Sequence, residues 1–119
     1  VTHSIVIDME PDDLLAAHQQ ELRRGTVVLA CLLRLTTPDY GYALLEELDR
    51  GGFAVDANTL YPLLRRLEKQ GLLTSEWNTD EARPRKFYST TPDGRALARD
   101  LLDDWSRLDD AIRSLKGTS

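Results

Sequence analysis

The chain has 119 residues, 41% of them hydrophobic and 29% charged, with a formal net charge of −5. That length allows one domain with a core of its own but not two, and the composition is that of a globular protein, which excludes bulk disorder. No apolar run approaches the roughly 20 residues of a membrane span, and the first residues lack the basic-then-apolar pattern of a secretory signal, so a cytoplasmic protein is expected.

Residues 1–10 read as a loose acidic arm. Glu10-Pro11-Asp12-Asp13 supplies the proline and acids of a helix start, and Leu14, Leu15, His18 and Leu22 follow at helical spacing. Gly25 either breaks that helix or merely thins it. The unpunctuated apolar run 26–35 is longer than most strands and reads as a buried helix. It should stop before Thr37-Pro38, because a proline pushes the residue ahead of it out of helical geometry. Asp39 is placed to cap the next helix, in which Ala43, Leu44, Leu45 and Leu48 make the buried stripe and Arg50-Gly51-Gly52 the end. Phe53-Ala54-Val55 is a short extended link.

Asp56 then caps the most informative helix, which runs to Gln70 and is closed by Gly71. At about 100° per residue, Leu60, Leu63, Leu64 and Leu67 share one side. Asn58, Tyr61, Pro62, Arg65 and Lys69 share the other. Pro62 lacks an amide donor and is expected to move the helix start to about Asn58. Two β-rich runs, 72–77 and 85–90, follow as a hairpin with a polar, partly basic tip at 78–84. Thr91 caps a last helix with Pro92 at its first position. That helix carries Leu97, Leu101, Trp105, Leu108, Ile112 and Leu115 at spacings of 4, 4, 3, 4 and 3, close to a heptad seam. Its stripe either covers its own domain or, as we favour, a partner subunit, with the partner's N-terminal helix joining in.

Helices followed by a two-stranded hairpin define a winged helix-turn-helix. The expected fold class is therefore mostly α (α+β). A winged helix-turn-helix domain over 11–91, with a two-stranded wing, is flanked by N-terminal and C-terminal dimerisation helices, the latter over 92–116.

Charge is segregated along the chain. Residues 1–21 hold five acids (Asp8, Glu10, Asp12, Asp13, Glu21) and no lysine or arginine. Residues 58–88 hold six bases (Arg65, Arg66, Lys69, Arg83, Arg85, Lys86) against four acids. An acidic molecule with a local cationic stretch can dock on a polyanion through one face while the rest is repelled. Catalysis finds no support: there is no nucleophile triad, phosphate-cradling glycine loop or dinucleotide fingerprint. The single cysteine, Cys31, sits in an apolar run and reads as a buried small hydrophobe. His3 and His18 complete no metal set. An enzyme, a cofactor and a metal are not expected.

The run Thr59-Leu60-Tyr61-Pro62-Leu63-Leu64-Arg65-Arg66-Leu67-Glu68-Lys69-Gln70-Gly71-Leu72-Leu73 resembles the recognition-helix signature of the PadR family of transcriptional regulators. Gly41-Tyr42 with Leu44, the strand Arg85-Lys86-Phe87-Tyr88 and the step Thr91-Pro92-Asp93-Gly94-Arg95 match the family's usual runs in order, and the resemblance spans about 22–115. Trp105-Ser106-Arg107-Leu108-Asp109 is similar to compact members with a single C-terminal helix, including multidrug-binding repressors. The chain departs at Tyr40, where a histidine is common, at Ser89-Thr90, which replaces Arg-Leu, and in its acidic arm. The resemblance implies a homodimeric repressor on an inverted-repeat operator in double-stranded DNA, released by a small molecule or a stress signal.

Within that frame the expected DNA contacts are Tyr42, Asn58, Thr59, Tyr61, Arg65, Arg83, Arg85 and Lys86. Asn58 and Tyr61 can read base edges or sugar-phosphate, Arg65 a phosphate or guanine, and the wing cations a phosphate or the minor groove. Thr59 either bonds phosphate or caps its helix, and Tyr42 either bonds phosphate or packs. Strand alternation puts Arg85 and Phe87 on one face, Lys86 and Tyr88 on the other. Leu97, Leu101, Trp105, Leu108, Ile112 and Leu115 are the expected dimer contacts. Trp105 is either dimer core or, as in the multidrug-binding relatives, the wall of a pore between subunits, with Asp109, Leu102 and Val28 beside it for a small aromatic ligand. Trp77 reads as structural. The competing reading is a winged-helix protein-interaction module without DNA binding, supported by the net acidity.

Overall fold

A computed structural model describes residues 10–53, 55–80 and 82–117. Of the expected acidic arm, all but Glu10 lies outside the described residues. Among those described, the elements run α1 (Pro11–Arg24), α2 (Val27–Arg34), β1 (Asp39–Tyr40), α3 (Gly41–Arg50), α4 (Ala57–Lys69), β2 (Leu73–Asn78), β3 (Arg85–Thr90) and α5 (Pro92–Lys116). The fold is a winged helix-turn-helix, with α3 and α4 as the turn motif and β2–β3 as the wing.

Local chemistry explains most boundaries. Asp56 Oδ1 accepts the Thr59 N–H at 2.9 Å and opens α4, while Thr91 Oγ1 accepts the Gly94 N–H at 3.0 Å and opens α5. Helices α3 and α4 close in the same way. Gly52 (φ 81°) and Gly71 (φ 76°) take the left-handed conformation that side chains disfavour. The next amide then reaches back five residues, Phe53 to the Leu48 carbonyl at 3.0 Å and Leu72 to Leu67 at 2.9 Å, satisfying carbonyls that a helix end leaves open.

Three local expectations are corrected. Asp39 does not cap α3, whose N-cap is Tyr40 without a side-chain bond. The Asp39 carboxylate is taken instead by the Arg34 guanidinium (2.5 Å) and by the Tyr40 N–H (2.8 Å). Arg34 also pairs with Glu47 on α3 and donates to the Thr37 carbonyl at 3.2 Å, so an arginine from α2 outcompetes the capping role. Secondly, α4 begins at Ala57, directly after its Asp56 cap and one residue ahead of Asn58, so Pro62 lies inside the helix without moving its start. A proline there removes only the amide that would meet the Asn58 carbonyl, and Asn58 is exposed to water. Thirdly, the hairpin is not alone: β1 pairs antiparallel with β3, through Asp39 with Tyr88 and Tyr40 with Phe87, giving the order β1-β3-β2.

The core gathers Cys31, Leu32 and Leu35 from α2 and its end, Leu44 from α3, Leu60, Leu64 and Leu67 from α4, and Leu73 from β2, all essentially inaccessible. Each large side chain removed from water contributes about 1.5–3 kcal/mol. Among the described residues one polar side chain, Thr90, is classed as buried with them. Its N–H donates to the Leu35 carbonyl at 2.8 Å and its hydroxyl to the Leu32 carbonyl at 2.7 Å. Carbonyls left open at the end of α2 are thereby satisfied by the last residue of the wing, which fastens hairpin to helix. Burial raises the Cys31 thiol to about 12, which makes it inert as a thiolate nucleophile.

Helix α5 enters the core only at its start, through Gly94 and Ala98, and α1 buries no residue. The radius of gyration is 18.3 Å and the longest extent 66 Å, against about 14 Å for a compact chain of this length. The two end helices project from the domain.

Gly94 is where α5 meets the chain after α4: a Cβ there would lie 2.2 Å from the Leu72 carbonyl oxygen and 2.7 Å from Thr90 Cγ2. Gly25 has ordinary helical φ and nothing within 4 Å of such a Cβ. Gly94→Ala is expected to destabilise by about 1–3 kcal/mol or more, and Gly25→Ala to stabilise by about 0.4–1 kcal/mol, in urea unfolding followed by circular dichroism.

Candidate nucleic-acid interface

Because Leu60, Leu63, Leu64 and Leu67 turn inward, the opposite face of α4 is held outward. Asn58, Thr59 and Arg65 are exposed there and Tyr61 is half-buried. Thr59 gives its N–H to Asp56, so Asp56 supplies the cap. Tyr42, on the first turn of α3, stands 64% exposed, which decides against core packing. The Glu46 carboxylate, hydrogen-bonded to it one turn on, raises its phenol above the ordinary value.

A shallow cavity of about 200 Å³ lies where α3, α4 and the wing meet, lined by Tyr40, Gly41, Tyr42, Tyr61, Arg85, Lys86 and Tyr88. The chain has four tyrosines, and all of them are in that lining. The closeness of α3 to α4 depends on Gly41, since a Cβ there would sit 2.7 Å from Tyr61 Cε1. Tyr40 organises the wing side. Its ring lies 4.0 Å from that of Phe87, its hydroxyl accepts from Asn78 Nδ2 at 3.1 Å, and the Arg85 guanidinium stands over it at 5.1 Å. Tyr88 is buried, which raises its phenol. Phenol donors, cations and the open amides at the start of α3 suit an anion such as a phosphate.

Alternation along β3 is as expected from the sequence. Arg85 and Phe87 meet Tyr40 on one face, whereas Lys86 and Tyr88 face α4. Lys86 Nζ lies 5.6 Å from the Tyr88 ring centre and 3.5 Å from Glu68 Oε1. Trp77, cross-strand partner of Lys86, is 65% exposed and takes no part in the core. A larger hollow of about 390 Å³ beside β2 includes Glu76, Asp80, Phe87 and Ser89. Its carboxylates repel a polyanion.

Of the eight expected contact residues, Tyr42, Tyr61, Arg85 and Lys86 converge on one cavity. Asn58, Thr59 and Arg65 share a helix with Tyr61 without lining it, and Arg83 stands exposed near the wing tip. Tyr40, Tyr88 and Glu68 were not singled out by sequence as site residues. Only Tyr40 carried a signal, its position beside Gly41-Tyr42; the other two depend on strand β3 lying over α4.

On α5, Leu97 and Leu101 are half-buried, while Leu102, Trp105, Leu108, Ile112 and Leu115 are exposed. Asp109 accepts from Arg113 Nε at 3.1 Å, and Val28 is half-buried on α2. Among the described residues no cluster of three or more His, Cys, Asp or Glu side chains is arranged to hold a metal, and no helix is long and apolar enough to cross a membrane.

Residues 28–100 match the family described as "Transcriptional regulator PadR-like family". A transcriptional regulator of Mycobacterium tuberculosis is 38% identical over 99 residues, covering 82% of this chain and 90% of its own. The crystal structure of a PadR family transcriptional regulator from Eggerthella lenta superposes with a TM-score of 0.84 at 46% identity, covering 91% of this chain and 96% of that one. A PadR-like transcription factor from Bacteroides fragilis superposes at 0.67 with 29% identity, covering 83% and 98%.

The contact between Gly41 and Tyr61 gives this site its own check. Gly41→Ala is expected to displace the Tyr61 ring at a cost of about 1–3 kcal/mol, leaving the helices in place. Far-UV circular dichroism should stay constant while the Tyr61 ring resonances shift in NMR spectra.

Proposed function

The chain belongs to the PadR-like family of transcriptional regulators, and from that premise we propose that it is a dimeric repressor that binds an inverted-repeat operator in duplex DNA and acts in the cytoplasm. One observation carries this reading: in a chain of net charge −5, the outward face of α4 presents Asn58, Tyr61 and Arg65 next to Tyr42 and the wing cations. Asn58 and Tyr61 read base edges or sugar-phosphate, Arg65 takes a phosphate or guanine, and Thr59 flanks them. Tyr42 and the start of α3 take a backbone phosphate, and Arg83 and Arg85 anchor the wing. Phosphate contacts set orientation and base contacts set sequence.

The dimer is proposed to form through α5, along Leu97, Leu101, Trp105, Leu108, Ile112 and Leu115, with α1 of the partner closing over it. Leu14, Leu15 and Leu22 on α1 are as exposed as the α5 seam, and two projecting apolar helices support mutual covering. The likeness of the stretch from Trp105 to Asp109 to compact family members with a single C-terminal helix supports the use of α5. The same face supports a ligand reading: a flat cationic aromatic stacked on Trp105 and paired with Asp109, between Val28 and Leu102, would shift the spacing of the two recognition helices and release DNA.

Gel-shift titration across salt, with the DNA upstream of the protein's own gene, tests the first part. Each neutralised phosphate is expected to add about 0.9 to the slope of log K against log salt. Tyr61→Ala should cost about 1–3 kcal/mol of specific affinity if it touches a base edge, whereas Arg83→Ala should weaken all sequences alike. No shift at low salt from a well-folded dimer overturns the reading.

Ile112→Asp is expected to give a monomer or an unfolded chain by light scattering, while the unaltered protein is dimeric. For the ligand, ethidium titrated into the Trp77→Phe variant should quench Trp105 saturably, and the accompanying rise in ethidium's own emission should be lost in Trp105→Ala. Flat titrations across planar dyes assign Trp105 to packing.

A further inference from the structure

Glu68 lies on α4 but away from its outward face. It follows the buried Leu64 and Leu67 around the helix and so points at the underside of the wing. Its Oε2 accepts from the Ser75 hydroxyl at 2.5 Å and its Oε1 lies 3.5 Å from the Lys86 ammonium. Ser75 is on β2 and Lys86 on β3, so one carboxylate from the recognition helix holds both strands of the wing. The paired side chains are 32% exposed each, which leaves the pair partly shielded from water and salt. Lys86 also stands over the Tyr88 ring, and it lines the same cavity as Tyr42 and Tyr61.

We propose that Glu68 is a positioning residue that withholds Lys86 from the DNA backbone, limiting the sequence-independent hold of the protein on DNA while setting the pitch of the wing against α4. The proposal rests on the DNA-binding reading above and goes beyond it, since the sequence alone counts Lys86 among the cations available to phosphate. A closed Glu68–Lys86 pair presents no net charge to the cavity. Opening it to let the ammonium reach a phosphate would leave a half-buried carboxylate without its cation, beside an incoming anion. Both effects oppose opening: a partly buried charge stripped of its partner is costly, and like charges brought together at an interface repel. The Ser75 hydroxyl keeps the carboxylate from following the lysine outward.

Generic hold on DNA is measured by the salt dependence of binding to a random-sequence duplex, which needs no knowledge of the operator. Fluorescence anisotropy across a salt series should be recorded for the unaltered protein, Glu68→Gln, Lys86→Gln and the double variant. In Glu68→Gln the new amide oxygen still accepts from Ser75 while the charge holding Lys86 is gone. Binding should tighten, and the slope of log K against log salt should steepen by about 0.9 per protomer as one phosphate contact is gained. Adding Lys86→Gln to that variant should abolish the gain, whereas Lys86→Gln alone should move the slope far less.

Additive changes across the cycle would mean that Glu68 acts only as a distant negative charge, and would overturn the proposal. A loss of about 0.9 per protomer from Lys86→Gln alone would overturn it too, and that single variant decides the matter even if Glu68→Gln does not fold. An unaltered protein that binds no duplex at low salt defeats the DNA-binding reading and this proposal with it. Additivity in a protein that does bind defeats this proposal alone.

Discussion

The rotational setting of α4 governs the rest of the molecule. Leu60, Leu64 and Leu67 are essentially inaccessible and Leu63 nearly so, and each contributes about 1.5–3 kcal/mol by leaving water. Turning the helix by one residue, about 100°, would exchange Leu60 or Leu64 for Tyr61 or Arg65 in the core. The burial of a cation or an unpaired phenol would then oppose the loss of apolar contact. The polar face is therefore held outward by the apolar one, and no contact of its own is needed to keep it there.

The wing depends on the same helix. Tyr88 is buried in the core from β3, Leu73 from β2 lies over α4, and Glu68 reaches from α4 to both strands. At the far end Thr90 bonds the carbonyls of Leu32 and Leu35, which ties the hairpin to α2. Arg34, two residues beyond Leu32, gathers Asp39 and Glu47. It thus sets β1 beside β3 and brings Tyr40, Gly41 and Tyr42 to the edge of the wing. The tyrosine-lined cavity is a consequence of these attachments: three elements meet there because each is fastened to α2 or α4 somewhere else.

A contrast runs through the fold between sealed and unsealed surface. The winged domain satisfies its buried polar atoms, and among the described residues no buried side-chain nitrogen or oxygen lacks a partner. The end helices are different. Helix α5 is 25 residues long and is anchored only over its first turns, by Gly94 and Ala98, after which its apolar seam leaves the domain. The winged domain is thus closed on itself, whereas the two end helices leave apolar surface in water.

Much of this was legible in the chain itself. The inward stripes of α3 and α4, the hairpin, the caps at Asp56 and Thr91 and the glycine closures all follow from periodicity and local hydrogen bonding, which act within a few residues. The outward set Asn58, Tyr61 and Arg65 followed too, because a helix with one apolar stripe defines its other face. Tertiary structure decided what depends on contacts distant in sequence. Arg34 took Asp39 from its expected capping role, β1 joined the sheet through a two-residue pairing too short to leave a pattern, and Trp77 proved exposed because the wing outruns the core. The engagement of Lys86 by Glu68, 18 residues away, was equally invisible: a lone sequence reports a lysine's charge, and only the packing of strand on helix determines which carboxylate it meets.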